Sequence, residues 1–217
     1  MYIHQKILDF YRGFQFDAHP MSIMVSVVAG LSSFLHNTLD IKDPIQRELS
    51  AIKLIAKMPA LAAIAFRTHA GLPIVQPQKN LGYVENFLNM MFQDPMDSEF
   101  KLPQIMVQVM EKIFILHAEC DQGPSTTAVR IAGSSLANPF AAISAGIASL
   151  WGPQHGGATE VCLKMFHDIG SVENIPAFLE KCKSDKGTLL YGFGHRVLKE
   201  YDPRAKILKN LLLDFRK

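Results

Sequence analysis

Two histidines sit in glycine-rich bends forty residues apart. His155 lies in Gly152-Pro153-Gln154-His155-Gly156-Gly157-Ala158-Thr159-Glu160, and His195 in Gly192-Phe193-Gly194-His195-Arg196-Val197. Asp202-Pro203-Arg204-Ala205 follows the second at short range. A neutral imidazole donates a hydrogen bond to a carbonyl oxygen, and a guanidinium presents a planar fork to a carboxylate. Together these groups suit holding a small carboxylate while polarising its carbonyl group. The spacing around His155 also predicts a helix start just after it, where unpaired backbone N–H groups favour anions and a neutral histidine. Its glycines would let a ligand approach the backbone closely. Lys199 is a compact cation suited to a phosphate. Each group has a plainer account when taken alone: His155 as a buried histidine beside a tight turn, and the segment 195–204 as a solvated basic turn capping a helix.

A third cluster, His117-Ala118-Glu119-Cys120-Asp121-Gln122, closes an apolar helical stretch. His117 and Cys120 are three residues apart on one helix face, compatible with two metal ligands. No second pair lies nearby, so no metal is expected. Cys120 as a nucleophile has no support beyond its neighbour histidine. Neither a phosphate-loop nor a dinucleotide-binding glycine pattern occurs, and no bound cofactor is expected.

The elements that must position these groups read as helices nearly throughout. Pro20 opens a run over Met21 to Leu35, and a second covers Arg47 to Arg67, with Pro59 predicting a kink or break. Leu81 to Phe92 and Leu102 to His117 follow. Asn138-Pro139 is a cap with proline at the first helical position, leading into Phe140 to Leu150. Gly156 to Ile169, Ile175 to Lys183 and a last helix opened by Asp202-Pro203 complete the series. Thr188 to Phe193 is the one short strand candidate, so the fold class is all-α with at most a short β-strand near residues 188–193. Between Ala132 and Ser149 the side chains are unusually small, which allows helix backbones to approach closely. That serves one tightly packed core or an interface between two copies, and the residues alone do not choose.

Bulk properties narrow the classes. Of 217 residues, 48% are hydrophobic and 19% charged, so the chain can bury a real core. A formal charge of +2, without a dense Lys/Arg run, argues against nucleic acid as a partner. No uninterrupted apolar run reaches transmembrane length, so no membrane partner is expected. Three widely spaced cysteines, Cys120, Cys162 and Cys182, point to free thiols in a reducing, intracellular compartment.

Taken together in order and spacing, these segments resemble the citrate synthase family, its peroxisomal and bacterial branch above all. The resemblance also runs through Asp17-Ala18-His19-Pro20-Met21, Tyr83-Val84-Glu85-Asn86-Phe87, Ser125-Thr126-Thr127-Ala128-Val129-Arg130 and Gly146-Ile147-Ala148-Ser149-Leu150. It implies a multi-helical large domain over residues 1–187. It further implies that residues 188–217 are the active-site loop and first helix of a small domain. Family members condense acetyl-CoA with oxaloacetate and release citrate and CoA, without a metal. By resemblance, His155 would stabilise the enol of acetyl-CoA, and His195 would polarise the oxaloacetate carbonyl. Arg204 would grip an oxaloacetate carboxylate, His117 and Cys120 would line the same site, and Lys199 would meet a CoA phosphate. The small-sided helices around 125–150 would pair two copies as a homodimer. Mitochondrial, peroxisomal and cytoplasmic settings all occur among such proteins.

The chain also departs from the pattern. Cys120 stands where the family has a second histidine, Gly123 replaces an asparagine, and Thr159 replaces a frequent asparagine. The resemblance places a catalytic aspartate and a further arginine beyond residue 217, so this chain is expected to turn over at most feebly. Two other readings follow: a 2-methylcitrate synthase acting on propionyl-CoA, and a non-catalytic dimerisation or interaction module.

Overall fold

A computed structural model of the chain describes residues 2–97, 99–118, 122–185, 187–195 and 198–215. Ten α-helices occur among them: α1 (Gln5–Tyr11), α2 (Pro20–Phe34), α3 (Pro44–His69), α4 (Tyr83–Phe92), α5 (Gln104–His117), α6 (Pro124–Ser134), α7 (Pro139–Leu150), α8 (Ala158–Ile169), α9 (Ile175–Ser184) and α10 (Pro203–Phe215). No strand occurs among the described residues. Thr188–Phe193 is irregular chain ending in a turn, because Gly192 adopts φ +85°, far from extended backbone. The chain divides into two compact units, Met1–Ser149 with Leu208–Lys217, and Leu150–Ile207.

The helix starts follow from their caps. His19 Nδ1 accepts from the Met21 N–H at 3.1 Å, and Pro20 fills the first helical position of α2. Asp43 Oδ1 accepts from the Ile45 N–H ahead of Pro44 in α3 at 2.9 Å, and Asn138 Oδ1 from the Ala141 N–H in α7 at 3.0 Å. These three starts share one logic: a side-chain acceptor takes an orphan N–H, and the proline gives up none.

The first unit has its core where α1, α2, α3 and α7 meet, around Ile7, Tyr11, Val28, Leu61, Ile64 and Phe140. α3 is long and apolar enough to cross a membrane by length and composition, although Lys53, Lys57 and Pro59 interrupt its apolar run. Its buried positions, among them Leu54, Leu61 and Ile64, pack into this core. α3 also runs through Pro59 without a break. Proline removes the N–H that would bond the Ile55 carbonyl four residues earlier. The Tyr83 hydroxyl donates to that carbonyl instead, at 2.8 Å, tying α4 to the gap. The buried Tyr11 hydroxyl donates to the Leu61 carbonyl at 2.9 Å, and burial pushes its pKa well up.

Small residues serve close helix contact. A Cβ on Gly146 of α7 would stand 2.6 Å from Val129 Cγ2 of α6, and the Ser125 hydroxyl donates to the Gly146 carbonyl at 2.9 Å. Ser144 likewise donates to the Val25 carbonyl of α2 at 2.7 Å. These contacts show the packing use of the small side chains within one copy.

Candidate functional site

His155 lies in a turn that folds back on its own beginning before entering α8. The Gly157 N–H donates to the carbonyls of Leu150 and Gly152, both at 3.1 Å, and the His155 N–H to Gly152 at 2.9 Å. A Cβ on Gly157 would stand 2.3 Å from the Trp151 carbonyl oxygen, so only glycine fits. This glycine is required by the chain's own backbone.

The helix begins at Ala158 instead of Gly156. The N–H groups of Ala158, Thr159 and Glu160 donate to the carbonyls of His155, Gly156 and Gly157, each at 3.1 Å. The expected set of outward, unpaired N–H groups is therefore absent here. The turn is already a run of i to i+3 bonds, and it consumes the donors as it becomes a helix. What His155 gains is placement: its side chain is half-buried, and its carbonyl anchors the first turn of α8.

His195 follows Gly192 at φ +85° and Gly194 at φ +78°. The Leu198 N–H donates to His195 Nδ1 at 2.9 Å. A ring nitrogen that accepts carries no proton, so the neutral imidazole holds its proton on Nε2 and donates from there. The His195 side chain is exposed.

Asp202 holds the arginine in place. Its Oδ1 accepts from the Arg204 N–H at 2.9 Å, which caps α10. Its two oxygens also accept from Arg204 Nε and Nη2, with Nη2 to Oδ2 at 2.8 Å. These bonds from the Arg204 side chain and backbone hold the Asp202 carboxyl down at about 2, and the His195 ring adds in the same direction. The Asp-Pro helix start is legible in the sequence, whereas the grip of Asp202 on Arg204 comes from the structure. An Asp cap two residues before an Arg was the available signal, since both side chains then crowd the helix entrance.

The remaining candidates are placed as follows. Lys199 is exposed in a bend between His195 and α10. His117 is the last residue of α5, in the first unit, and its Nδ1 bonds the Ile113 carbonyl at 2.8 Å. Cys120 lies outside the described residues. His155, His195, Lys199, Asp202 and Arg204 all belong to the second unit. Among the described residues no cluster of His, Cys, Asp and Glu is arranged to hold a metal ion.

Comparison with known proteins bears on this geometry. A family described as "Citrate synthase, C-terminal domain" matches residues 1–217. The chain is similar to the citrate synthase of Pyrobaculum aerophilum, at 32% identity and a TM-score of 0.81, covering 99% of this chain and 54% of that one. It is similar to the citrate synthase of Thermotoga maritima MSB8, at 28% identity and a TM-score of 0.78, covering 98% and 53%. A third similar structure is the ternary complex of carboxymethyl coenzyme A and oxaloacetate with the citrate synthase of the archaeon Thermoplasma acidophilum. It is 30% identical with a TM-score of 0.83, covering 100% of this chain and 55% of that one. The chain thus spans just over half the length of these solved structures.

Proposed function

This chain belongs to the citrate synthase family of acyltransferases, and from that premise we propose that it takes part in condensing acetyl-CoA with oxaloacetate. The observation that carries the reading is the bond from the Leu198 N–H to His195 Nδ1, which leaves Nε2–H as the ring's donor. A donor of that kind polarises a ketone carbonyl and then gives its proton to the alkoxide formed there. In the reaction, the acetyl methyl carbon gives up a proton to a general base and bonds to the oxaloacetate carbonyl carbon, whose oxygen takes a proton as the C=O π bond opens, and water then cleaves the thioester to release CoA. His155 stabilises the enol oxygen of the acyl group, an interaction strongest when charge has developed. Arg204, its plane set by Asp202, binds an oxaloacetate carboxylate, with His117 and Cys120 serving the same substrate and Lys199 a CoA phosphate. The Thermoplasma protein was solved with oxaloacetate and a CoA derivative, which supports these two ligands for the present chain.

Calorimetric titration tests this. The account predicts saturable oxaloacetate binding, and no heat of binding at millimolar ligand contradicts it. Cys120 stands where the family has a second histidine, and a thiol is a weak donor. Restoring it by Cys120→His should tighten binding by about ten- to hundredfold, the worth of a charge-assisted hydrogen bond. No gain would remove Cys120 from the site. That same cysteine favours a second reading, a non-catalytic module of the same fold. It gains ground if dimerisation is intact while neither the wild type nor Cys120→His binds oxaloacetate.

A further inference from the structure

Cys162 stands one turn inside α8, half-buried, and its Sγ–H donates to the Tyr191 carbonyl at 3.7 Å. Tyr191 immediately precedes the turn that carries His195. The next residue, Gly192, has φ +85°, and a Cβ built on it would stand 3.1 Å from Cys162 Sγ. The thiol therefore fills the space that a side chain at 192 would need, and it bonds the carbonyl of the residue before. On the other side, α8 is bonded without interruption to the His155 turn through Ala158, Thr159 and Glu160.

We propose that the contact of Cys162 with Tyr191 and Gly192 is a positioning device that registers the His155 turn and its helix against the His195 turn. The proposal deepens the functional reading above, because it assumes that the two histidines act on neighbouring atoms of one reaction. It assigns no chemistry to the thiol itself. A polarisable sulfur suits the role: it tolerates a long contact with a carbonyl and fills a gap beside a glycine without demanding strict geometry. Displacing the turn moves His195 and the Leu198 N–H that fixes its tautomer, and small misplacements of such groups are costly.

The test uses the full chain. Amide hydrogen exchange at Gly192 to His195 and at Leu198 is compared in wild type, Cys162→Ala, Cys162→Val and Cys162→Ser, alongside oxaloacetate titration. Loss of the contact in the alanine variant, or crowding of Gly192 in the valine variant, should speed exchange in this turn several-fold. Amides of α2 and α3 should be unchanged. Oxaloacetate affinity should fall by about two- to fivefold, the reach of one weak contact. Cys162→Ser, which keeps a donor, should lie closer to wild type. Gly192→Ala is strained at φ +85° by itself, so it is compared with Gly192→Ala combined with Cys162→Ala: removing the thiol should slow the exchange again if the methyl group meets it, and no relief counts against the contact. Unchanged exchange in the turn, or a rise spread evenly over the whole chain, overturns the proposal. If wild type binds no oxaloacetate, the functional reading fails, while the exchange data still decide the role of Cys162.

Discussion

Arg67 shows how much one side chain can organise. It is 2% exposed and donates to the Pro73 carbonyl, to Met91 at 2.9 Å and to Gln93 at 3.0 Å, with Met90 at the edge of range. These acceptors include the terminal carbonyls of α4, where a cation also meets the negative end of the helix dipole. Burial pushes the guanidinium pKa down, and the Asp94 charge opposes that. Lysine offers no planar fork, so Arg67→Lys should cost about 2 kcal/mol in urea unfolding, with the denaturant slope unchanged. A loss below a few tenths would mean that the carbonyls are satisfied without the fork.

Asp202 makes a pH-dependent statement at the same scale. Its folded pKa, about 2, lies below the usual 3.8. A depressed carboxylate stabilises the fold above the unfolded value and loses that contribution as pH falls through the folded one. Wild type should hold a constant advantage over Asp202→Asn above about pH 5, shrinking between about pH 4 and 2. Acid titrations of stability check this, and an advantage that persists unaltered at pH 2 contradicts it.

Among the elements, the clearest device is the repair of α3 at Pro59. Tyr83→Phe should cost about 0.5–1.5 kcal/mol, because it leaves the Ile55 carbonyl without its partner. In a Pro59→Ala background the residue 59 N–H returns to that carbonyl, so the same change should cost measurably less. Equal costs in the two backgrounds, read by a double-mutant cycle, would show that the Tyr83 bond does not compensate for the proline. This device also marks the limit of the sequence. Pro59 announces a missing N–H, but only the packing of α4 on α3 supplies the hydroxyl that answers it. Helices with proline starts and polar caps, such as α2, α7 and α10, were legible from local chemistry. α1 and α6 show no clear apolar period in the sequence. α1 is seven residues long, and α6 has no buried residue to set an apolar stripe. The site divides the same way. His155, His195 and Arg204 stood out by type and spacing, whereas Asp202 and Cys162 acquire their roles only from which atoms the turns bring within reach.

For the whole molecule, the exposed apolar side chains are the telling feature. Ile115 of α5 is 72% exposed, Ile131 of α6 67% and Leu136, just past α6, 58%. Side chains of this size left in water would be covered if two copies paired along α5 and α6. We expect the chain to self-associate at micromolar concentration, consistent with the homodimer that its family resemblance implies. Sedimentation equilibrium checks this; a stable monomer at that concentration contradicts it. Charged replacements at Ile115 and Ile131 should shift the equilibrium toward monomer without lowering helix content.

In the proposed reaction, His195 and Arg204 meet oxaloacetate. The most direct measurement is nitrogen NMR of the histidine and arginine side chains during an oxaloacetate titration. We predict saturable shifts at His195 Nε2 and Arg204 Nε, with His195 Nδ1 keeping the signature of an unprotonated acceptor. Saturable binding that leaves both side chains unmoved would contradict the account.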